Sequence, residues 1–471
     1  MDNNSARLSS RRNRLWSATG ILVILAIAVP LFALSGTAGA GKHRISTTDQ
    51  FLKAIYSPVK LRAPGDPQEI RYDISCLPPD GNVDGPGVCD GGGTVYFRSS
   101  TGASAGVPLQ VDTGSQVGRY VAAVPSNIWA APWFTYYAVI RDNSTGRTIT
   151  VPQGGSSAPQ LSFAMSGPTI DLGTHAFGST RPADARVAAA AWGSGDGQVG
   201  LEDGIDTPTG GASFDVDSAG NVYLLDEANS RMLEFSGGVP TAIPLAGSAG
   251  VKADLRISDA TGTAYLLEVA NASSTRSLLR TYTLDGGAIG TSTVADEAAA
   301  QIRLSGSTAY VSEYPSSMWA PVMQNNGRSP VDASAQFLRA SPGAPGLDGS
   351  NVVVLSTGNE IRIGMYAGGS SAPQLTSVRI TSATPVADIQ LAQKLPSGNL
   401  LVVFSVYTED QHEYEAVVVD PTGRVVDQFA LSAADWAQSM ALSRFRLVGW
   451  SLYELGSTDS GVFVDRYDLG V

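Results

Sequence analysis

One short pattern recurs along the second half of the chain and limits what it can fold into. It reads Asn221-Val222-Tyr223-Leu224-Leu225-Asp226, then Thr263-Ala264-Tyr265-Leu266-Leu267-Glu268, then Thr308-Ala309-Tyr310-Val311-Ser312-Glu313. Fainter copies follow at Asn351–Ser356, Asn399–Phe404 and Phe445–Trp450. With Tyr223, Tyr265, Tyr310, Val353, Leu401 and Leu447 as anchors, the spacings are 42, 45, 43, 48 and 46 residues. Apolar runs this short, bounded by Gly turns, are strands rather than helices. Such turns stand at Ala219-Gly220, Asp259–Gly262, Ser397-Gly398 and Thr422-Gly423. A period in the forties with about four strands per unit is that of propeller blades, which bury their faces only by stacking on one another.

The best-preserved unit is Trp192–Leu201 (WGSGDGQVGL) followed by Gly211–Phe235 (GASFDVDSAGNVYLLDEANSRMLEF). It resembles the NHL repeats: a Gly-rich entry, an apolar-Asp strand, a D-x-x-G-N turn, a Val/Tyr strand ending in Asp, and an N-x-R hairpin. The matching residues are Asp217, Gly220, Asn221, Tyr223, Asp226, Asn229 and Arg231. The resemblance implies a six-bladed NHL-like β-propeller over residues 166–471, with Thr169–Trp192 supplying an outer strand that closes the ring against the C-terminal repeat. The expected fold class is all-β: an N-terminal transmembrane helix, a small antiparallel β-sandwich, then the propeller.

Ahead of the repeats, strands are expected at Val59–Ala63, Glu69–Cys76, Thr94–Ser99, Val107–Asp112, Arg119–Val124, Trp133–Asp142 and Arg147–Val151. Short strands with Gly, Pro, Asn and Asp between them suit an antiparallel sandwich, and residues 57–165 resemble an immunoglobulin-like or fibronectin-like domain. The rings of Trp129, Trp133, Phe134, Tyr136 and Tyr137 raise a carbohydrate-binding reading. Alternating aromatics in a strand more often form core and cross-strand pairs, and that reading is preferred. Gln153–Gln160 reads as a linker, and its GGSSAPQL octapeptide, Gly154–Leu161, recurs at Gly368–Leu375.

The N-terminus sets the compartment. Residues 1–14 carry Arg7, Arg11, Arg12 and Arg14, and the uncharged apolar run Leu15–Leu34 follows. About 20 apolar residues cover a bilayer's hydrocarbon core, and the preceding arginines favour a cytoplasmic N-terminus. Residues 15–36 are therefore expected to be a transmembrane signal anchor, followed by a juxtamembrane segment over 37–56. A signal peptide cut after Ala40 is the alternative, which would leave a secreted chain. In both cases the bulk of the chain is extracytoplasmic. Cys76 and Cys89, the two cysteines, flank a Gly/Pro/Asp loop, and a disulfide is expected to close it. The net charge of −12 argues against a nucleic-acid partner.

No catalytic signature emerges. His43, His175 and His412 are far apart, and Gly102–Gly106 (GASAG) matches a nucleophile elbow around Ser104 without its strand–turn–helix setting. The residue three past each anchor is acidic in three repeats: Asp226, Glu268 and Glu313. On one arc they would suit a hard cation, and Ca2+ is the ion such oxygens select; six-bladed lactonases hold calcium in this way. The preferred reading is structural, each acid accepting N–H bonds from the turn that follows it. No other cofactor is expected. Two functions are thus weighed: a membrane-anchored binding or scaffold protein whose propeller presents a loop surface to an envelope protein or glycan, and, less favoured, a calcium-dependent lactonase-like hydrolase.

Overall fold

The computed structural model describes residues 52–470 apart from 77–86, 89, 115–117, 203–207, 249–250, 270–275, 296–298, 314–317, 347, 368–372, 374, 435 and 438–442. The expected anchor, its cleavage site and Cys89 lie outside the described residues. Among those residues no helix is long and apolar enough to cross a membrane.

Residues 52–164 form two sheets of five and six strands packed on one apolar core. Trp133–Asp142 shows the cause: Phe134, Tyr136, Ala138 and Ile140 alternate with outward residues and are wholly buried, at most 1% exposed. Phe134 and Tyr136 are thus core, while Tyr137 stacks on Tyr96 outside it, ring centroids 5.1 Å apart. Two boundaries differ from the sequence reading. Leu52–Ile55 already pairs with Glu69–Cys76, because Leu52, Ala54 and Tyr56 alternate into the core. The expected linker at Gln153–Gln160 is instead a tight turn inside the sandwich, feeding its strand Gln160–Ala164. Ser104 opens a hairpin strand, Ser104–Pro108, paired with Gly91–Ser99, so no elbow exists there. Gly87 and Val88 pair back onto Cys76 and Ser75, which holds the loop's return beside the first cysteine.

The remaining described residues form six antiparallel sheets of four strands each, one of them extended by a fifth, and a two-stranded ribbon, Leu201–Glu202 with Thr209–Gly210. Blades one to five follow chain order, their first strands being Ser213–Val216, Val251–Ser258, Ala299–Ser305, Ala344–Pro345 and Val386–Lys394. Blade six begins at Phe445–Val448 and takes its fourth strand, Ala185–Ala191, from before blade one. Each first strand touches that of the next blade, and Phe445–Val448 returns to Ser213–Val216, so the sheets close into a ring. Blade four departs from this rule. Its first strand is two residues long, and its second strand, Ser350–Thr357, makes the contact to blade five.

Apolar clusters fill the seams between blades one and two, two and three, four and five, five and six, and six and one. The described residues form no such cluster between blades three and four. Polar links join them there: Ser305 Oγ donates to the Gly346 carbonyl, and Trp319 exchanges backbone hydrogen bonds with Ser341.

Residues 169–191 run as a belt along the outer rim. Thr169–Asp171 adds a parallel fifth strand to blade four, Thr180 bridges Ala430 of blade five, and Ala185–Ala191 completes blade six. His175 fastens the belt to blade five: Nε2 lies 2.8 Å from Glu413, and Nδ1 meets Glu415.

Candidate functional site

The acids singled out from the repeat occupy the ends of second strands. Asp226 is fully buried and accepts from Gly200 N at 2.9 Å, Asn229 Nδ2 at 2.7 Å and Arg231 Nε at 2.8 Å. Arg231 also donates to the carbonyls of Gly195 and Gln198. At the other end of that strand Asp217 accepts from the backbone of Ala219 and Asn221, around Gly220 at φ +86°. The residues of the repeat motif therefore hold one another. Glu268 takes the place of Asp226 in blade two and accepts from Arg280 Nε at 2.8 Å. The backbone of Glu313 pairs with Ala299, and its side chain lies outside the described residues. Asp226 and Glu268 each close on an arginine of the same blade, five and twelve residues further along the chain. No group of three His, Cys, Asp or Glu residues able to hold a metal occurs among the described residues.

A different set of charges converges at the hub. Four first strands carry a charged residue between two apolar ones: Phe214-Asp215-Val216, Leu255-Arg256-Ile257, Ile302-Arg303-Leu304 and Phe445-Arg446-Leu447. All four occupy the same place in the blade, because Asp215, Arg256, Arg303 and Arg446 pair with Tyr223, Tyr265, Tyr310 and Tyr453 respectively. The sixth anchor is thereby Tyr453 rather than Leu447, which lies on the first strand. Phe445-Arg446-Leu447-Val448 has the polarity of a short second strand, so sequence spacing alone shifted that blade by one strand.

Three of these charges reach the backbone of the next blade. Arg446 Nε donates to the Phe214 carbonyl at 2.9 Å, from blade six to blade one. Asp215 Oδ2 accepts from Ile257 N at 2.8 Å, from blade one to blade two. Arg256 Nε donates to the Ile302 carbonyl at 3.1 Å, from blade two to blade three. Asp254 ties the set together: Arg446 Nη2 and Ser213 Oγ donate to its Oδ1, each at 2.8 Å, and Ile302 N donates to its Oδ2 at 2.8 Å. The Arg446 side chain is 2% exposed and that of Asp254 is 0% exposed. An ion pair this dry holds only because its remaining donors and acceptors are also satisfied. Burial and the nearby Arg256 push the Arg446 guanidinium down to about 10, with Asp254 and Asp215 opposing them.

Sequence reasoning passed over this hub, although its signal was present. A charged residue inside an apolar run of a strand with no polar face has to find a buried partner. The same position recurring opposite the anchor tyrosine in four blades identifies it.

No family model matches the chain, and no curated protein matches it. Solved structures are similar at low identity. Virginiamycin B lyase from Staphylococcus aureus is 12% identical, with 55% of this chain and 95% of that one covered and a TM-score of 0.34. A provisionally named 6-phosphogluconolactonase from Bacteroides fragilis NCTC 9343 is 12% identical, covering 82% and 97%, with a TM-score of 0.31. The PQQ-bound aldose sugar dehydrogenase from Streptomyces coelicolor is 11% identical, covering 61% and 98%, with a TM-score of 0.31. TM-scores this low carry no argument about function; the ring rests on its own strand pairing.

Proposed function

We propose that this chain is a membrane-anchored extracytoplasmic binding protein, in which an immunoglobulin-like sandwich carries an NHL-like six-bladed propeller toward a protein or glycan of the cell envelope. One observation carries the reading. At one end of blade six Trp192 and Trp436 lie with ring centroids 6.2 Å apart, and Trp436 is 36% exposed. Trp192 is itself anchored, its Nε1 donating to the Thr458 carbonyl at 3.0 Å. Flat rings left in solvent on a rigid rim supply large contact area at little entropic cost, as aromatic residues do at interface centres. The disulfide between Cys76 and Cys89 and the anchor over residues 15–36 belong to the same reading, which places the chain in an oxidising compartment at a membrane face.

Cross-linking in intact envelopes tests it, with the wild-type chain compared against Trp436→Ala. The wild type is expected to retain a defined protein or glycan that Trp436→Ala loses by tenfold or more. Equal retention by both chains, or none by the wild type, overturns the reading.

A further inference from the structure

The relay of side chains around the hub runs from blade six to blade three and stops there. Arg446, Asp215 and Arg256 each bond to the backbone of the following blade. Arg303 of blade three is next in order and holds the same register position, opposite Tyr310. Its side chain makes no hydrogen bond or ion pair among the described residues. The cause lies in blade four, whose first strand is the stub Ala344–Pro345, preceded by Gly343. No carbonyl of this stub accepts from the Arg303 guanidinium, and Gly343 brings no side chain. A Cβ at Gly343 would stand 2.8 Å from Asn351 Cβ, so the site also has no room for one. The seam between blades three and four is the one with no apolar cluster among the described residues, and Arg303 remains partly exposed there while Asp254 and Arg446 are dry.

We propose that the hub beside Arg303 is a binding site for a small oxyanion, a carboxylate or phosphate group, received beside the short first strand of blade four. Of the three arginines there, Arg256 pairs with Asp215 and Arg446 with Asp215 and Asp254, whereas Arg303 forms no ion pair among the described residues. Burial, Arg256 and Arg446 together push the Arg303 guanidinium down to about 9, with Asp254 and Asp215 opposing them. It therefore stays charged at neutral pH, and an anion relieves both the desolvation and the repulsion. A guanidinium presents a planar fork that matches carboxylate or phosphate oxygens two at a time.

The test titrates the full chain in detergent with inorganic phosphate and, separately, with succinate, at constant ionic strength set by chloride. Saturable one-site binding of at least one anion is expected, with a matching rise in melting temperature. Binding of phosphate alone assigns a phosphate-bearing ligand, and binding of succinate alone a carboxylate. Arg303→Met is expected to weaken binding at least tenfold, and without anion to melt no lower than the wild type, because it removes a charge that no residue pairs. Arg303→Lys, which keeps the charge and loses the fork, is expected to fall between them and serves if Arg303→Met fails to fold. No saturable binding of either anion by the wild type, or undiminished binding by the Arg303 variants, overturns the proposal.

Discussion

At the residue scale the most informative group outside the hub is Lys60, in the sandwich. Its side chain is almost wholly enclosed, and burial pushes its ammonium down to about 7 from an ordinary 10.5. Below pH 7 folded and unfolded chains are both protonated there, and the folded state carries the full cost of an enclosed charge. Between about 7 and 10.5 the folded state releases the proton first, so this cost shrinks as pH rises. Lys60→Met is therefore expected to stabilise the protein by on the order of 3 kcal/mol near pH 6, and by far less near pH 10. Urea unfolding at the two pH values checks this, and an equal gain at both would refute it. Individual residues were also where the sequence was most and least legible. Asp217, Gly220, Asn221, Asp226 and Arg231 could be read from their spacing because the bonds among them are local, made within one hairpin or turn. Arg446 and Asp254 could not, because their bond spans 192 residues and exists only once the ring has closed.

At the element scale the belt over residues 169–191 depends on a few polar contacts. Between its pairing with blade four and with blade six, it meets blade five through the Thr180–Ala430 bridge and through His175. The imidazole is 5% exposed and lies between Glu413 and Glu415; Glu415 also accepts from Gln428, and Glu413 from the Gly178 backbone. His175→Ala leaves two carboxylates side by side without their shared donor, at a cost of about 1–3 kcal/mol. Limited proteolysis with mass mapping is expected to show faster cleavage between Leu172 and Asp184 in that variant, while blades one to three keep the wild-type pattern. Unchanged cleavage would show that the strand pairings alone hold the belt. The closing role of Thr169–Trp192 could be anticipated from the count of strands per repeat. Its detour across blade five could not, since His175 lies more than two hundred residues from Glu413 and Glu415 and the contact carries no periodic signal.

At the scale of the whole molecule the sandwich is docked rather than tethered. Arg362 of blade four donates to the Leu61 carbonyl at 3.0 Å and to Asp66 Oδ1 at 2.8 Å, and pairs with Glu360 on its own strand. Leu61 and Phe163 of the sandwich pack with Val353 and Tyr366 of the propeller. Gly154, expected in a linker, lies so near the Phe337 carbonyl that a Cβ would stand 2.7 Å from it. Arg362→Met breaks the charged part of this junction and leaves Asp66 and Glu360 without a shared cation. Scanning calorimetry is expected to resolve two transitions in the variant where the wild type shows one, with a larger radius of gyration by X-ray scattering. A single transition at the wild-type temperature would mean that the apolar contact suffices.

The ring's closure has a consequence in time. Ala185–Ala191 emerges early in synthesis, yet its partner strand, Gly461–Asp468, comes more than two hundred and seventy residues later. Until then one sheet edge waits unpaired, and a waiting edge is an invitation to the wrong neighbour. The waiting strand is almost all alanine, with Arg186 as its one charge. Small side chains offer little grip to a stray strand, and the arginine keeps that edge hydrated until Asp465 arrives to take it. The closing strand is built to be unattractive to everything that reaches it before its own partner.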